Sequence, residues 1–242
     1  MLGRYPLALA FVLTVALGVG CSHAAWKPAD GPLMTPFAKD VSPENALPEH
    51  PRPQMVREDW QNLNGLWEYA ITAMDAPRPE EWDGQILVPY PVESALSGVM
   101  ERVGPEKALW YHRTFKTPDL GGGKRLRLHF EGVDWDATVY VNGEEVGRHR
   151  GGYDPFTLDV TGALRKGTND LVVRVFDPTD AGPQPRGKQV RKPHGIWYTP
   201  VTGIWRTVWM EPVAERHIDR IVLTPDVDEK EIHCEVFATG KA

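Results

Sequence analysis

From Asn64 onward the chain is written in short runs in which apolar and polar residues alternate, each run broken by glycine, proline or asparagine. Trp67, Tyr69 and Ile71 alternate with Glu68, Ala70 and Thr72 behind the Asn64-Gly65 turn, a period-2 pattern that predicts a half-buried strand. A short strand over Gln85 to Val88 ends at Pro89, which has no amide to give to a ladder. Trp110 to Phe115 alternates as well. In the next run Arg125, Arg127 and His129 face one way and Leu126, Leu128 and Phe130 the other, which predicts a strand with one buried face. Ala137 to Val141 and Glu145 to Arg148 flank Asn142-Gly143, a type I′ hairpin signal because both central residues must take positive φ. Phe156, Leu158 and Val160 make another strand, and Leu171 to Phe176 follows a turn at Lys166-Gly167-Thr168-Asn169. No run of a dozen residues carries a helical period, so the pattern predicts an all-β sandwich.

The alternation stops from Asp177 to Gly203, a proline- and glycine-rich stretch. Loops of that length are uncommon inside compact domains and are usually functional or disordered. Its aromatic end, Trp197 and Tyr198, argues for order and for packing against something outside the sandwich. From Ile204 a strand is predicted with Trp205, Thr207 and Trp209 on one side and Ile204, Arg206, Val208 and Met210 on the other. These large rings suit a core and equally suit flat platforms for sugar rings, and both uses stay open. Residues 92 to 107, rich in small side chains, are expected to be irregular with at most one helical turn. After Pro212 the pattern restarts, with strands at Ile218 to Leu223 and Ile232 to Phe237.

Upstream of the strands, composition adds two segments. Residues 1–24 hold a single charge, Arg4, and an apolar run from Pro6 to Val19 that is too short to span a bilayer permanently, which identifies a signal peptide. Leu17-Gly-Val-Gly-Cys21 has the form of a bacterial lipoprotein box with Cys21 as a candidate lipid anchor. Ser22-His-Ala24 equally satisfies a small-x-small cleavage rule. Either way the protein is expected to be exported, to the periplasm or the cell envelope. Residues 25–53 carry prolines at 28, 32, 36, 43, 48, 51 and 53, an extended leader that either floats or lies along the domain. The other cysteine, Cys234, sits in an alternating strand and is expected to be a buried thiol without a disulfide partner.

A formal charge of −6 on 242 residues excludes no enzyme class but argues against nucleic acid, whose phosphates need a concentrated basic stripe. The one basic cluster, Arg186, Lys188, Arg191 and Lys192, lies in the long loop. It is a solvated face or a recognition site for an acidic ligand. Histidines 112, 129, 149, 194, 217 and 233 are scattered without ligand spacing, and no phosphate loop is present, so no metal and no cofactor is expected. Glu131, Asp134 and Asp136 surround Trp135 and are the best local carboxylates for glycosidic acid–base work. That chemistry needs a pair about 5 Å or roughly 6.5–9.5 Å apart, one of them in a dry pocket. An open hairpin loop would not supply dryness, so no catalytic residue is assigned in this chain.

Several stretches in order carry a resemblance: Leu63-Asn-Gly-Leu-Trp67, Val88-Pro-Tyr-Pro91 followed by Glu93-Ser94, Trp110-Tyr-His-Arg-Thr-Phe115, Phe130-Glu-Gly-Val-Asp-Trp-Asp-Ala-Thr-Val-Tyr-Val-Asn-Gly143, and Gly195-Ile-Trp-Tyr-Thr-Pro-Val-Thr-Gly-Ile-Trp-Arg-Thr-Val-Trp209. Together they resemble the N-terminal, sugar-binding jelly-roll domain of glycoside hydrolase family 2, which includes β-galactosidases, β-glucuronidases and β-mannosidases. The resemblance implies a galactose-binding-like jelly roll over 54–213 and the first strands of an incomplete immunoglobulin-like sandwich over 214–242. It also implies a carbohydrate partner and a catalytic (β/α)₈ barrel normally on the same polypeptide, before which the chain looks truncated. Family members bring a residue just after the Val-Pro unit to the sugar, which points to Glu93 and Ser94. A solvated loop carboxylate is the alternative for Glu93. Where the family often has an acid, six positions before Gly203, this chain has Trp197, so Trp197 with His194 nearby is the substitute contact, His194 being otherwise a loop hydrogen-bonder. Asp134 and Trp135 complete the candidate substrate-binding set.

For the full-length protein these features imply retaining hydrolysis of terminal β-glycosides, with β-galactosides the expected class. A stand-alone carbohydrate-binding module without hydrolase activity is the alternative, and an adaptor sandwich that binds no sugar is a further one.

Overall fold

The alternating runs pair as the pattern demands, and a computed structural model describes residues 26–240, Pro32 excepted. The signal segment and Cys21 lie outside the described residues. Fourteen strands run in order: β1 (Gln61–Asn62), β2 (Gly65–Ala73), β3 (Gly84–Val88), β4 (Lys107–Lys116), β5 (Arg125–Phe130), β6 (Val133–Asp134), β7 (Asp136–Val141), β8 (Glu144–Arg150), β9 (Phe156–Asp159), β10 (Thr168–Phe176), β11 (Gly203–Ile204), β12 (Val208–Val213), β13 (Ile218–Asp226) and β14 (Glu231–Ala238). A four-stranded sheet, β1-β12-β5-β9, faces a six-stranded one, β3-β2-β4-β10-β7-β8. This is the jelly-roll sandwich. Among the described residues the only helices are short 3₁₀ turns.

The inward-facing residues form one core: Trp67, Tyr69, Leu109, Tyr111, Val139, Val173 and Val175 from the larger sheet meet Leu126, Leu128, Phe130, Val208 and Met210 from the smaller. Burying such side chains is worth roughly 1.5–3 kcal/mol each, enough to hold two sheets face to face. At the β7–β8 turn Asn142 and Gly143 have φ of 53° and 85°, the positive pair the hairpin needs. The Val88–Pro89 and Asp134–Trp135 peptide bonds are cis.

Three expectations are corrected here. The strand predicted to run on from Ile204 is interrupted. Gly203 and Ile204 pair with Asp134 and Val133, and the ladder resumes only where Val208 meets Phe130. Between them the chain passes from the separate two-stranded β6–β11 ladder into the four-stranded sheet. The Trp205 indole donates to the Gly152 carbonyl at 2.7 Å, and Arg206 lies 4.8 Å over its ring.

The outer face of the four-stranded sheet is solvated only in part, with Arg125 exposed at its end. His129 and Trp209 are buried and stack at 3.9 Å, and they are covered by His50 and Arg52 of the leader together with Trp60 just beyond it. Glu211 on β12 holds that cover in place, accepting from Arg52 at 2.7 Å and Arg57 at 2.6 Å. The leader therefore lies along the domain, and its start is pinned too, with the Ala29 amide donating to the Ala95 carbonyl at 2.9 Å.

Cys234, expected to be a buried thiol, is exposed. β13 and β14 form a separate two-stranded sheet, and nothing among the described residues covers the β14 face. Alternation in a strand predicts burial only when a second layer is there to bury it.

Candidate functional site

The loop from Asp177 to Gly203 leaves the end of β10 and returns as β11, and both of its roots are tied to buried carboxyls. Asp177 accepts from the Thr179 amide at 2.8 Å, from Gln184 Nε2 at 3.3 Å and from the Thr202 hydroxyl at 3.3 Å. Glu93, only 8% exposed, accepts the Thr202 amide N–H at 3.0 Å through Oε2, and among the described residues its Oε1 has no partner. Asp134, 3% exposed, accepts from Gln189 Nε2 at 3.0 Å, and Gln189 in turn accepts the Val201 amide at 2.5 Å. The packing here leaves no slack: a side chain on Gly152 would come within 2.5 Å of Asp134 Oδ1. Gly203, at φ +88°, leaves room for the Tyr111 hydroxyl, which accepts the Ile204 amide at 3.1 Å.

Burial governs the charge of this root. Loss of water pushes the Glu93 carboxyl up to about 7, against the partial opposition of its Thr202 hydrogen bond. Desolvation likewise pushes Asp134 up to about 7, and Asp177 is raised for the same reason. Asp177 also raises Glu93 and Asp134, since each further negative charge in so dry a place is harder to accommodate.

The far end of the loop is the opposite kind of place. Lys188 and Val190 strap to Tyr198 through backbone bonds of 2.8 and 3.0 Å, and the Trp197 amide closes a turn on the His194 carbonyl at 2.9 Å. This displays Tyr198, 63% exposed, beside Ile196 and the half-buried Trp197. Arg186 lies 6.0 Å over the Trp197 ring and Lys188 5.9 Å over Tyr198. Of the basic cluster only Arg191 is paired, with Asp180 at 2.5 Å; among the described residues Arg186, Lys188 and Lys192 have no carboxylate within 4.0 Å. The site is a dry acidic root carrying a wet, aromatic and cationic tip.

Residues 99–206, which hold β4 to β11, match the family model described as glycosyl hydrolase 2 galactose-binding domain-like. Residues 99–206 are therefore a galactose-binding-like domain of the glycosyl hydrolase 2 kind. Its relatives are named as glycosidases. A β-galactosidase of Thermoanaerobacter pseudethanolicus is 37% identical over 119 residues, covering 48% of this chain and 15% of that protein. A β-glucuronidase of Paenibacillus borealis is 29% identical over 133 residues, covering 52% of this chain and 22% of that protein. Among solved structures, a β-glucuronidase from an uncultured Clostridium sp. superposes with a TM-score of 0.56 at 25% identity, over 77% of this chain and 35% of that one. The chain thus spans well under half the length of the relatives it matches.

Within the sandwich the six candidate residues divide. Glu93 and Asp134 meet at the loop root, where they anchor backbone and are closed to bulk water. The solvated alternative for Glu93 and the open setting expected for the Glu131 to Asp136 loop are both corrected by this burial, since the long loop folds back over them. Ser94 is turned away from the loop: its hydroxyl accepts the Ser97 amide at 3.2 Å and caps a 3₁₀ turn, Ala95–Ser97. Trp135 is half-buried with Arg150 5.6 Å over its ring. His194 and Trp197 are at the tip, His194 exposed and donating from Nδ1 to the Lys192 carbonyl at 2.8 Å.

Sequence reasoning missed Asp177, Gln184, Gln189, Thr202 and Tyr111. Only Asp177 left a local trace. An Asp followed two residues later by an amide it can reach is a turn-forming signal, and Asp177 does bond the Thr179 amide.

Proposed function

We propose that this chain is the part of an exported family 2 β-glycosidase that builds one wall of the sugar pocket, while a (β/α)₈ barrel on the same polypeptide supplies hydrolysis with retention. The observation that carries the proposal is the loop tip: Trp197 and Tyr198 held out by a root of buried hydrogen bonds, in a domain whose relatives are named β-galactosidase and β-glucuronidase. Ordering a long segment costs roughly 1–2 kcal/mol per residue, so such a root is worth maintaining only if the tip has to arrive at a defined place.

The charge of the tip favours a hexuronide over the neutral galactoside expected from sequence. Arg186 and Lys188 lie over two rings that suit the C–H face of a pyranose, among the described residues neither they nor nearby Lys192 has a carboxylate partner, and a sugar carboxylate would pair with them. Export is part of the same proposal, supported by the apolar run from Pro6 to Val19 and by Cys21 as lipid anchor or Ala24 as cleavage site. The test is a substrate panel on the complete polypeptide, comparing 4-nitrophenyl β-glucuronide with the β-galactoside. The β-glucuronide is expected to have the higher kcat/KM, and Trp197→Ala to raise KM about tenfold or more. A preference for the galactoside with KM untouched by Trp197→Ala would defeat the proposal.

A further inference from the structure

The outer face of the six-stranded sheet is built unlike an ordinary solvated face. Ala70, Ala108, Trp110 and Val172 form a second small apolar cluster there, with Trp82 and Tyr140 packed against it. Trp110 pairs across the ladder with Arg174, and Arg174 with Thr138, two residues before Tyr140 on the same strand. A hollow of about 350 Å³ opens over these residues, floored by Trp110, walled by Tyr140 and Pro77, and rimmed by Arg78 and Arg174. It lies within the size range of small-ligand pockets. No side chain closes it at the hairpin tip, where nothing lies within 4 Å of a Cβ placed on Gly143.

The two arginines are differently placed. Arg78 pairs with Asp170 at 3.0 Å, and Asp170 also meets His112 at 2.5 Å. Arg174 lies 5.7 Å over the Trp110 ring and gives one Nη2 hydrogen to the Met74 carbonyl at 2.6 Å. Among the described residues it has no carboxylate within 4.0 Å. Among the described residues its charge is balanced by no acid, and Arg174 borders the hollow with N–H groups beyond the one given to Met74. A guanidinium with donors to spare next to a half-exposed phenol ring suits a ring that is apolar on one face and anionic at its edge.

We propose that this hollow is a saccharide-binding site for an anionic pyranoside, one bearing a carboxylate or a sulfate. The sugar's C–H face lies against Tyr140, its anionic group meets Arg174, and its hydroxyls reach Arg78. The site belongs to the sheet and owes nothing to the 177–203 loop, so it stands whether or not the loop recognises hexuronides.

The test is calorimetric titration of the full chain with an oligoglucuronate, a sulfated oligosaccharide and a neutral β-linked galacto-oligosaccharide of equal length. Saturable binding of at least one anionic ligand is expected, with the neutral one at least tenfold weaker, and the two anionic arms distinguish carboxylate from sulfate. Arg174→Met and Tyr140→Ala are each expected to weaken binding at least tenfold at unchanged circular dichroism, while Trp197→Ala leaves it intact. Should Arg174→Met fail to fold, Tyr140→Ala carries the same expectation. Absence of binding to the native chain, equal binding of the neutral ligand, or loss in Trp197→Ala with Tyr140→Ala unaffected would each overturn the proposal.

Discussion

The Glu93 carboxylate and the Thr202 amide, 109 positions apart in sequence, meet at 3.0 Å and hold the returning end of the long loop against the turn that follows β3. The other Glu93 oxygen is buried without a partner among the described residues, so the group is stable there mainly as the neutral acid.

That preference gives a pH dependence. Glu93 keeps its proton in the fold up to about 7, whereas in the unfolded chain it ionises near its ordinary value of 4.5. Between those limits the folded state binds the extra proton, so stability falls as pH rises through the window, by roughly 3 kcal/mol from this group at full extent. Asp134 acts in the same direction. Glu93→Gln, which keeps an acceptor for Thr202 and cannot ionise, is expected to flatten the fall in urea unfolding between pH 5 and pH 8. An unchanged slope would show that Glu93 titrates normally.

Glu211 works in the opposite sense. Arg52, Arg57 and His129 hold its carboxyl down to about 2 despite burial, so the stability it contributes is fully present above about 4.5 and is lost as pH falls through 2. Glu211→Gln leaves two guanidiniums short of their counter-charge and is expected to cost about 3 kcal/mol. It should also free the leader, read as new proteolytic cleavage between residues 26 and 60 in a still-folded sandwich.

Gly203→Ala puts a methyl group onto the Tyr111 hydroxyl at a backbone φ of +88°. Left-handed strain and overpacking together are expected to cost about 3 kcal/mol. Thermal unfolding checks this, and a midpoint within two degrees of the native chain would contradict the tight root.

Cys234 is exposed on β14, so it is expected to react with Ellman's reagent in the native chain at a rate near that of a free thiol. Cys234→Ser removes that reactivity. A thiol that reacts only after denaturant is added would mean that another layer covers this strand.

Much of the architecture was legible along the chain because strand patterning is local. The period-2 runs at Trp67 to Ile71 and Leu126 to Phe130, and the Asn142-Gly143 turn, each carry their own signal. The candidate site was legible only at its surface end, where the aromatic and basic residues of 186–198 stand together in one segment. Its root was not, since Glu93 and Asp134 come from segments far from the two loop ends, Asp177 and Thr202, that they meet, and nothing near any one of them says that it will be buried.

The sequence by itself determined the all-β class, the strand positions and the aromatic, basic character of the long loop, because each follows from neighbours a few residues away. Tertiary structure alone decided that the leader covers Trp209 and His129, that β12 starts afresh at Val208, and that three carboxyls become the dry anchor of the loop. The physical reason is that burial belongs to surfaces brought together over long sequence separations: a carboxylate left in water stays an ordinary charge, and one covered by a returning loop becomes a proton-holding hydrogen-bond acceptor.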